Sequence, residues 1–560
     1  MDGNQASSSP TTGSTAIADE GNSISDAALS TNTNENAATS HEDKSYRLCP
    51  RRPYSIPAET MRQEGEEKRN RPNHLPISSS VIGLGCSSFS KFYSQDDDHD
   101  TSILTRQSIT KNHPAVQTWI KTIHHAILNK GIDLLDTAPW YGHGTSEIVI
   151  GYALEDILCF DNEDDVDEQQ QQLMNIDAST KTTNEKKKKI NRKKIIINTK
   201  VGRYDATPLI NQFDYSYKTT ISSTKMSISR MKCKYIDVLQ LHDVEFTPCI
   251  STLLEETIPA MIYCRDVLKI VRALGITGYS LEVQHEILVK SSSLLQKGEN
   301  EGEVVAKGIV FDQSLTYCHA NLHDLSLFEP LVSPQNNNNN SDDTNQSKKQ
   351  TKMKEREKEN KNKSFADFCH SQSIALLTAA PFSMGLLTSS GPPLWHPGST
   401  ELKRACKDAA EICRANNVDI ANLALLFSLS RRRRREVEYD NGAGVVSLIV
   451  GMKDTDEIDQ AVEAALRFSS FHDDDCADDK YSKRYDMDGN SNDDDAHLKY
   501  ILTQNELAAL ETLRDKSTGP FSSVWKNGEY QWNGVQIAND FWNDVEGGKE
   551  AAKLRMKREK

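Results

Sequence analysis

Long apolar runs are what this 560-residue chain most lacks. No stretch approaches the roughly 20 consecutive apolar residues that a membrane-spanning helix needs, so no membrane partner is expected. The first residues show neither a basic start nor an apolar segment of the kind that directs export, which predicts a cytoplasmic protein. There are 11 cysteines, but no C-x-x-C and no paired spacing, so reduced thiols are expected rather than a disulfide framework. Cys406 and Cys413 lie seven apart in a helical pattern and read as one buried stripe, not a ligand pair. Positive charge is short overall, with a formal net charge of -15 that reports solubility more than a partner. The basic runs at 186–189 and 431–435 read as solvated loop or helix ends, and no nucleic-acid partner is expected. Apolar residues, at 37%, are too few for the whole length to share one core.

The polar excess falls in four places. Residues 1–45 are rich in Ser, Thr, Asn and Ala without apolar periodicity and read as a disordered tail. Three further tracts, near 161–194, 333–363 and 472–495, run through acidic, Asn-rich or Lys-rich stretches with no face to bury. They read as insertions into loops, which chain entropy tolerates at small cost. The rest divides into one domain over 72–515 and a C-terminal extension over 516–560.

With the insertions set aside, short apolar runs alternate with stretches of helical period. The runs are SSVIGLGCSSF, IDLLDTA, KIIINTKV, IDVLQLHDV, VRALGITG, KGIVFDQSL, IALLTAAPF and GVVSLIVGM. After the first, Val116, Ile120, Ile123, Ile127 and Leu128 are expected on one helical face. Nearly continuous apolar runs suit parallel strands covered on both sides. About eight of them over some 300 ordered residues predict an α/β fold of the (β/α)8 barrel type. An open doubly wound sheet would carry a G-x-G-x-x-G fingerprint, but GLGCSSF supplies Gly83 and Gly85 and stops.

In such a barrel, chemistry sits at the carboxyl ends of the strands. One run ends in Asp136 with Tyr141 close behind, the next in Lys200, the next in His242. Singly, each has an ordinary explanation as a turn cap, packing ring, rim cation or interior histidine. A lysine ending an apolar strand is costly unless paired, and Asp136 on the neighbouring strand is the natural partner. An ammonium beside a phenol favours its ionised form, so Lys200 would make Tyr141 an acid/base, with His242 orienting a substrate oxygen. Such a set lacks a hydride acceptor of its own.

GIDLLDTAPWYGHGTSEIVIGYAL, INTKVG and IDVLQLHD together resemble the aldo-keto reductase family, over nearly all of 79–458 outside the insertions. Further segments, among them TKVGRYD, LGITGYSLE and LIVGMKDTDEI, are similar to the family's plant-type L-galactose dehydrogenases of ascorbate formation. The resemblance implies oxidation of an aldose at C1 to a lactone, with L-galactose first, L-fucose and D-arabinose as alternatives, and no metal. It implies catalytic roles for Asp136, Tyr141, Lys200 and His242. Gly85, Cys86, Asp136, Thr277 and Gln313 would meet the nicotinamide end of the cofactor. The backbone at Ser383, Met384, Gly385 and Leu386 would hold its pyrophosphate. Ala379 stands where relatives often stack an aromatic ring, and Gly278 where they carry Asn.

The adenosine end would meet Gly451, Lys453 and Glu457. Asp454, Asp456 and Glu457 outnumber Lys453 there, and a 2'-phosphate would be repelled, so NAD is expected over NADP. Trp140, His143 and Trp395 are candidates for the sugar, since aromatic faces and imidazoles suit hydroxylated rings. Trp395 reads equally well as loop packing. His319 and His323, four apart beside Asp324, mimic a metal pair but read better as surface or substrate-side histidines. The C-terminal tract with Trp525, Trp532 and Trp542 would cover either the barrel bottom or its mouth. A sugar partner and a monomer or weak homo-oligomer are expected. The competing readings are a general NADPH-dependent carbonyl reductase and a cofactor-sensing subunit of a channel.

Overall fold

The apolar runs become strands that close on themselves. The computed structural model describes residues 48–53, 78–89, 109–158, 189–204, 211–292, 310–331, 363–394, 396–431, 445–473, 498–515, 517–521 and 534–557. The tail over 1–45, most of each polar insertion, and Trp395, Trp525 and Trp532 lie outside the described residues.

Two short strands, β1 (Arg51–Pro53) and β2 (Ser78–Ser80), pair antiparallel below the barrel. The Asp133 carboxylate clamps them, taking the Arg51 guanidinium at 2.6 Å and the Ser80 N–H at 2.8 Å. The barrel strands are β3 (Ile82–Gly85), β4 (Leu134–Asp136), β5 (Ile196–Val201), β6 (Ile236–Leu241), β7 (Val271–Gly278), β8 (Gln313–Tyr317), β9 (Ala375–Ala379) and β10 (Ser447–Gly451). Each is parallel to the next and β10 closes on β3. The chain is therefore a (β/α)8 barrel. Leu134, Ile196, Val238, Leu315, Leu377 and Ile449 fill its interior.

The longer helices around it are α1 (Pro114–His124), α2 (Thr145–Ile157), α3 (Tyr217–Met231), α4 (Ile258–Asp266), α5 (Leu281–Ser291), α6 (Phe365–Ser371), α7 (Thr400–Ala415), α8 (Ile420–Ser430), α9 (Thr455–Asp473), α10 (Gln504–Leu513), α11 (Gly534–Asp544) and α12 (Gly548–Met556). A hydroxyl side chain starts many of them. Ser216, Ser280, Ser399 and Thr503 accept first-turn N–H groups of α3, α5, α7 and α10. Between α2 and α3 the backbones approach so closely that a Cβ on Gly151 would strike the Arg230 carbonyl. Cys406 and Cys413 are both buried on α7. No helix among the described residues is long and apolar enough to cross a membrane.

Four expectations need correction. The face from Val116 to Leu128 is not one α-helix: a π turn over His125–Asn129 shifts the register, so Ala126 is buried and Ile127 and Leu128 only half so. The strand expected in KGIVFDQSL starts later, at Gln313, where the polar Gln313, Ser314 and Thr316 hide it from an apolar reading. The insertion expected to reach Lys194 ends sooner. Ile190 already bridges Leu158, and Arg192 pairs with the buried Asp237 at 2.7 Å. Arg431, expected in a solvated run, is buried with its guanidinium 4.2 Å from the Phe427 ring centroid.

Candidate active site

The carboxyl ends of the strands open into a cavity of about 370 Å³. Asp136 ends β4, and after it a left-handed turn at Gly142, His143 and Gly144 (φ 60°, 52° and 95°) swings Tyr141 over the strand ends. Lys200, near the end of β5, is 1% exposed. Its ammonium donates to Asp136 Oδ2 at 2.6 Å, to the Thr137 carbonyl at 2.9 Å and to Tyr141 Oη at 3.2 Å. His242 follows β6, its ring edge-on to Tyr141 with centroids 6.2 Å apart. The four side chains singled out at three strand ends are thus brought to one point.

Burial of this many polar groups requires partners, and the barrel interior supplies them. Gln240 donates to Asp136 Oδ1 at 2.8 Å, and Gln313 to Gln240 at 3.2 Å. This amide chain leaves both Asp136 oxygens engaged, which orients the carboxylate toward Lys200. Burial pushes His242 down to about 3, so its imidazole is neutral at any ordinary pH. Its Nε2 lies 3.5 Å from Asp243 Oδ1, and with the ring neutral the contact is not an ion pair.

Of the residues expected at the cofactor, Gly85, Asp136, Thr277, Gly385, Gly451, Lys453 and Glu457 line the cleft. Four do not. Cys86 is fully buried, its carbonyl taken by Ser146. Gln313 belongs to the amide chain beneath. The Ser383 hydroxyl bonds His323, and Leu386 sits in the core, leaving Met384 and Gly385 to face the cavity. Ala380, Ser383 and Met384 all hold left-handed backbone (φ 60°, 47° and 54°), a cluster of strain found most often where a ligand is held.

On the substrate side, Trp140 lines the cleft, while His143 packs edge-on against it at 5.5 Å and does not reach the cavity. His319 and His323 are not at the surface. Both are buried, His319 beside Ser326 and Asp324 and His323 on Ser383. Among the described residues no three His, Cys, Asp or Glu side chains converge as a metal site would require. Glu147, from the segment that also carries Asp136 and Tyr141, is away from the cleft, fully buried and joining Thr199 of β5 to Arg230 of α3.

The reading from sequence missed Arg203, Asp243, Tyr279, Tyr317 and Phe382, all of which line the cleft. Arg203 and Asp243 stand within three residues of Lys200 and His242, so the same strand-end rule, extended into the loops, finds them. Tyr317 ends β8 directly opposite Ala379 in register, and Tyr279 packs against it edge-on at 5.4 Å. An aromatic wall thus exists on the strand next to the expected one. It went unseen because β8 was placed too early.

The sequence model of the aldo/keto reductase family matches residues 106–306 and 328–478. An L-galactose dehydrogenase of Arabidopsis thaliana is 27% identical over 340 residues, 61% of this chain and 76% of the plant protein. A D-arabinose 1-dehydrogenase of Saccharomyces cerevisiae is 26% identical over 302 residues, 54% of this chain and 65%, just under two thirds, of the yeast protein. Among solved structures, an aldo-keto reductase of Bacillus halodurans in its holo form aligns with 70% of this chain and 89% of its own, at 17% identity and a TM-score of 0.38. A glycerol dehydrogenase of Gluconobacter oxydans aligns with 70% of this chain and 89% of its own, at 16% identity and a TM-score of 0.40.

Proposed function

This chain belongs to the aldo/keto reductase family, oxidoreductases that use a nicotinamide cofactor, and from that premise we propose that it oxidises an aldose at C1, with L-galactose the first candidate and NAD the acceptor. The observation that carries the reading is the Lys200 ammonium held between Asp136 and Tyr141 Oη inside a cleft roofed by an aromatic side chain, Trp140. The two sugar dehydrogenases similar to this chain support the aldose as substrate class.

The cleft fits a dinucleotide. An added Cβ on Gly451 would meet nothing nearer than the Gly85 carbonyl at 4.0 Å, so the space of that missing side chain is open to a ligand. Met384 and Gly385 offer a left-handed backbone turn for the phosphates, and Tyr317 a ring face for the nicotinamide. Bound there, the cofactor supplies the hydride acceptor that the side chains lack.

The chain's own residues manage the proton. Tyr141 takes the proton of the C1 hydroxyl as the C1 hydrogen leaves with its electron pair, and Lys200 stabilises negative charge on the phenol oxygen. Asp136 and Gln240 hold Lys200 in place. His242, neutral by burial, hydrogen-bonds the substrate oxygen without adding a charge. The ring form of the sugar then leaves as a lactone. At the other end, Glu457 accepts the Lys453 N–H at 2.8 Å and also faces that residue's ammonium. Lys453, the only cation among the described residues 451–457, thus faces a carboxylate already, and Asp454, Asp456 and Glu457 oppose a 2'-phosphate, which supports NAD over NADP.

The test is initial rates with NAD and NADP over L-galactose, L-fucose, D-arabinose and D-galactose, with Tyr141→Phe as control. NAD-dependent oxidation of L-galactose, lost by about three orders of magnitude in the variant, is expected. A higher kcat/KM with NADP would overturn the cofactor assignment. Turnover of simple aldehydes with NADPH but of no aldose would overturn the substrate class in favour of a general carbonyl reductase.

A further inference from the structure

The strand ends divide the cleft into two walls. Those of β3 and β7 to β10 carry the glycines, the tyrosines and the left-handed turn already placed at the cofactor. Those of β4, β5 and β6 carry Trp140, Arg203 and Asp243, none of which moves the proton or the hydride. The Arg203 guanidinium donates to Asp243 Oδ2 at 2.6 Å and lies 4.2 Å from the Trp140 ring centroid. Asp243 is held in left-handed backbone (φ 50°), and the buried Tyr215 hydroxyl fixes that bend by donating to the carbonyls of His242 and Asp243 at 2.9 and 2.7 Å. A largely buried ion pair on left-handed backbone next to the reacting groups, with both partners facing the cavity, is an expensive way to build a wall.

The wall behind it is made of two loop phenylalanines, backed by the C-terminal extension. Phe213 stacks on Phe246 at 4.2 Å, and both lie within 6 Å of the Arg203 guanidinium carbon. Phe541 of α11 packs edge-on to Phe213, and the buried Trp542 donates its indole N–H to the Phe246 carbonyl at 3.0 Å. From α12, Arg555 donates to the Phe213 carbonyl at 3.2 Å, while Met556 sulfur accepts the Tyr215 N–H at 3.4 Å. Residues more than 290 positions downstream thus hold the loop after β6.

We propose that the Arg203–Asp243 pair is the substrate's specificity subsite, binding vicinal hydroxyls of an uncharged aldose beneath Trp140, and that α11 and α12 are positioning elements that keep it in place. The inference rests on the aldose reading and refines it. A guanidinium donates and a carboxylate accepts, so adjacent sugar hydroxyls satisfy both at once. The pair is neutral as a whole. A uronate or sugar phosphate would set its charge against Asp243, while Lys200, Arg203 and Lys453, the lysines and arginine that line the cleft among the described residues, already face Asp136, Asp243 and Glu457, so charged sugars are excluded. Glu245, two residues on from Asp243, is pushed up to about 8 by burial and by the Asp243 charge, and so adds no second negative charge at neutral pH.

Arg203→Gln, Asp243→Asn and Trp542→Phe are compared with wild type for L-galactose oxidation, 4-nitrobenzaldehyde reduction and NADH binding. Arg203→Gln is expected to raise KM for the aldose about tenfold or more, leaving the hydroxyl-free aldehyde and NADH within about twofold. Trp542→Phe should show the same split more weakly, about threefold. Asp243→Asn frees the guanidinium and should raise the activity on D-galacturonate relative to D-galactose. Equal losses on aldose and aldehyde, or no gain of the uronate in Asp243→Asn, would overturn the subsite. If wild type oxidises no aldose, the aldose reading fails by itself, and the subsite is judged on tryptophan fluorescence. Quenching by L-galactose that Arg203→Gln abolishes would sustain it, and absence of quenching in wild type would end it.

Discussion

At the scale of single residues, two buried charges set what the site can do and what it costs. Lys200 is stable as an ammonium because three acceptors surround it, so Lys200→Met leaves Asp136 buried with only Gln240 for company. We expect that variant to lose about 3 kcal/mol of stability, with the second change Asp136→Asn recovering part of it and none of the activity. Denaturant titration of the two variants and their combination, beside their kinetics, separates the two effects. Glu245 gives a pH test. Its folded value, raised to about 8, exceeds that of an exposed glutamate, so its contribution to stability is complete below about 4.5 and is lost as pH rises through about 8. Its Oε1 accepts the Tyr279 N–H at 2.8 Å, a bond that Gln retains. Glu245→Gln should therefore flatten the fall in Tm between pH 6 and 8.5, which thermal melts across that range would show. Parallel melting curves would mean that Glu245 is ionised in the fold.

At the scale of elements, the junctions matter more than the spans. The Leu158–Ile190 bridge and the Ile190 N–H to Ile157 carbonyl bond, at 2.8 Å, bring the two sides of the first polar tract together. Because those ends are already adjacent, a short linker suffices to close them. Replacing 161–187 with about six Gly/Ser residues is expected to keep kcat/KM within about twofold and Tm within a few degrees. A large loss in either would show that the tract takes part in folding or in the site. The extension at the other end differs. α11 and α12 are tied to the loops after β5 and β6 by buried aromatic rings and by hydrogen bonds to backbone. Of the two covers expected for that tract, its helices form the one at the barrel mouth.

For the molecule as a whole, much of the plan is legible in order along the chain. A parallel strand buried on both faces leaves a continuous apolar run, and the reactive side chain at its end interrupts that run sharply; β4, β5 and β6 each show this. Asp136, Tyr141, Lys200 and His242 were legible for that reason. β8 was not, because its inward Gln313 is polar and finds its partner, Gln240, only across the barrel interior, while Ser314 and Thr316 on its other face are polar too. The side chains of Cys86, Gln313, Ser383 and Leu386 do not line the cavity for a related reason: position along a motif does not tell which way a side chain faces. The number of strands, their parallel order and the identity of the central polar group follow from local pattern, because each is a property of one segment and its period. The Arg203–Asp243 pair, the aromatic wall at Tyr317 and the use of the C-terminal helices behind Phe213 and Phe246 were decided only in the tertiary structure. Each joins segments far apart in the chain, and no spacing in the sequence encodes which distant surfaces will meet.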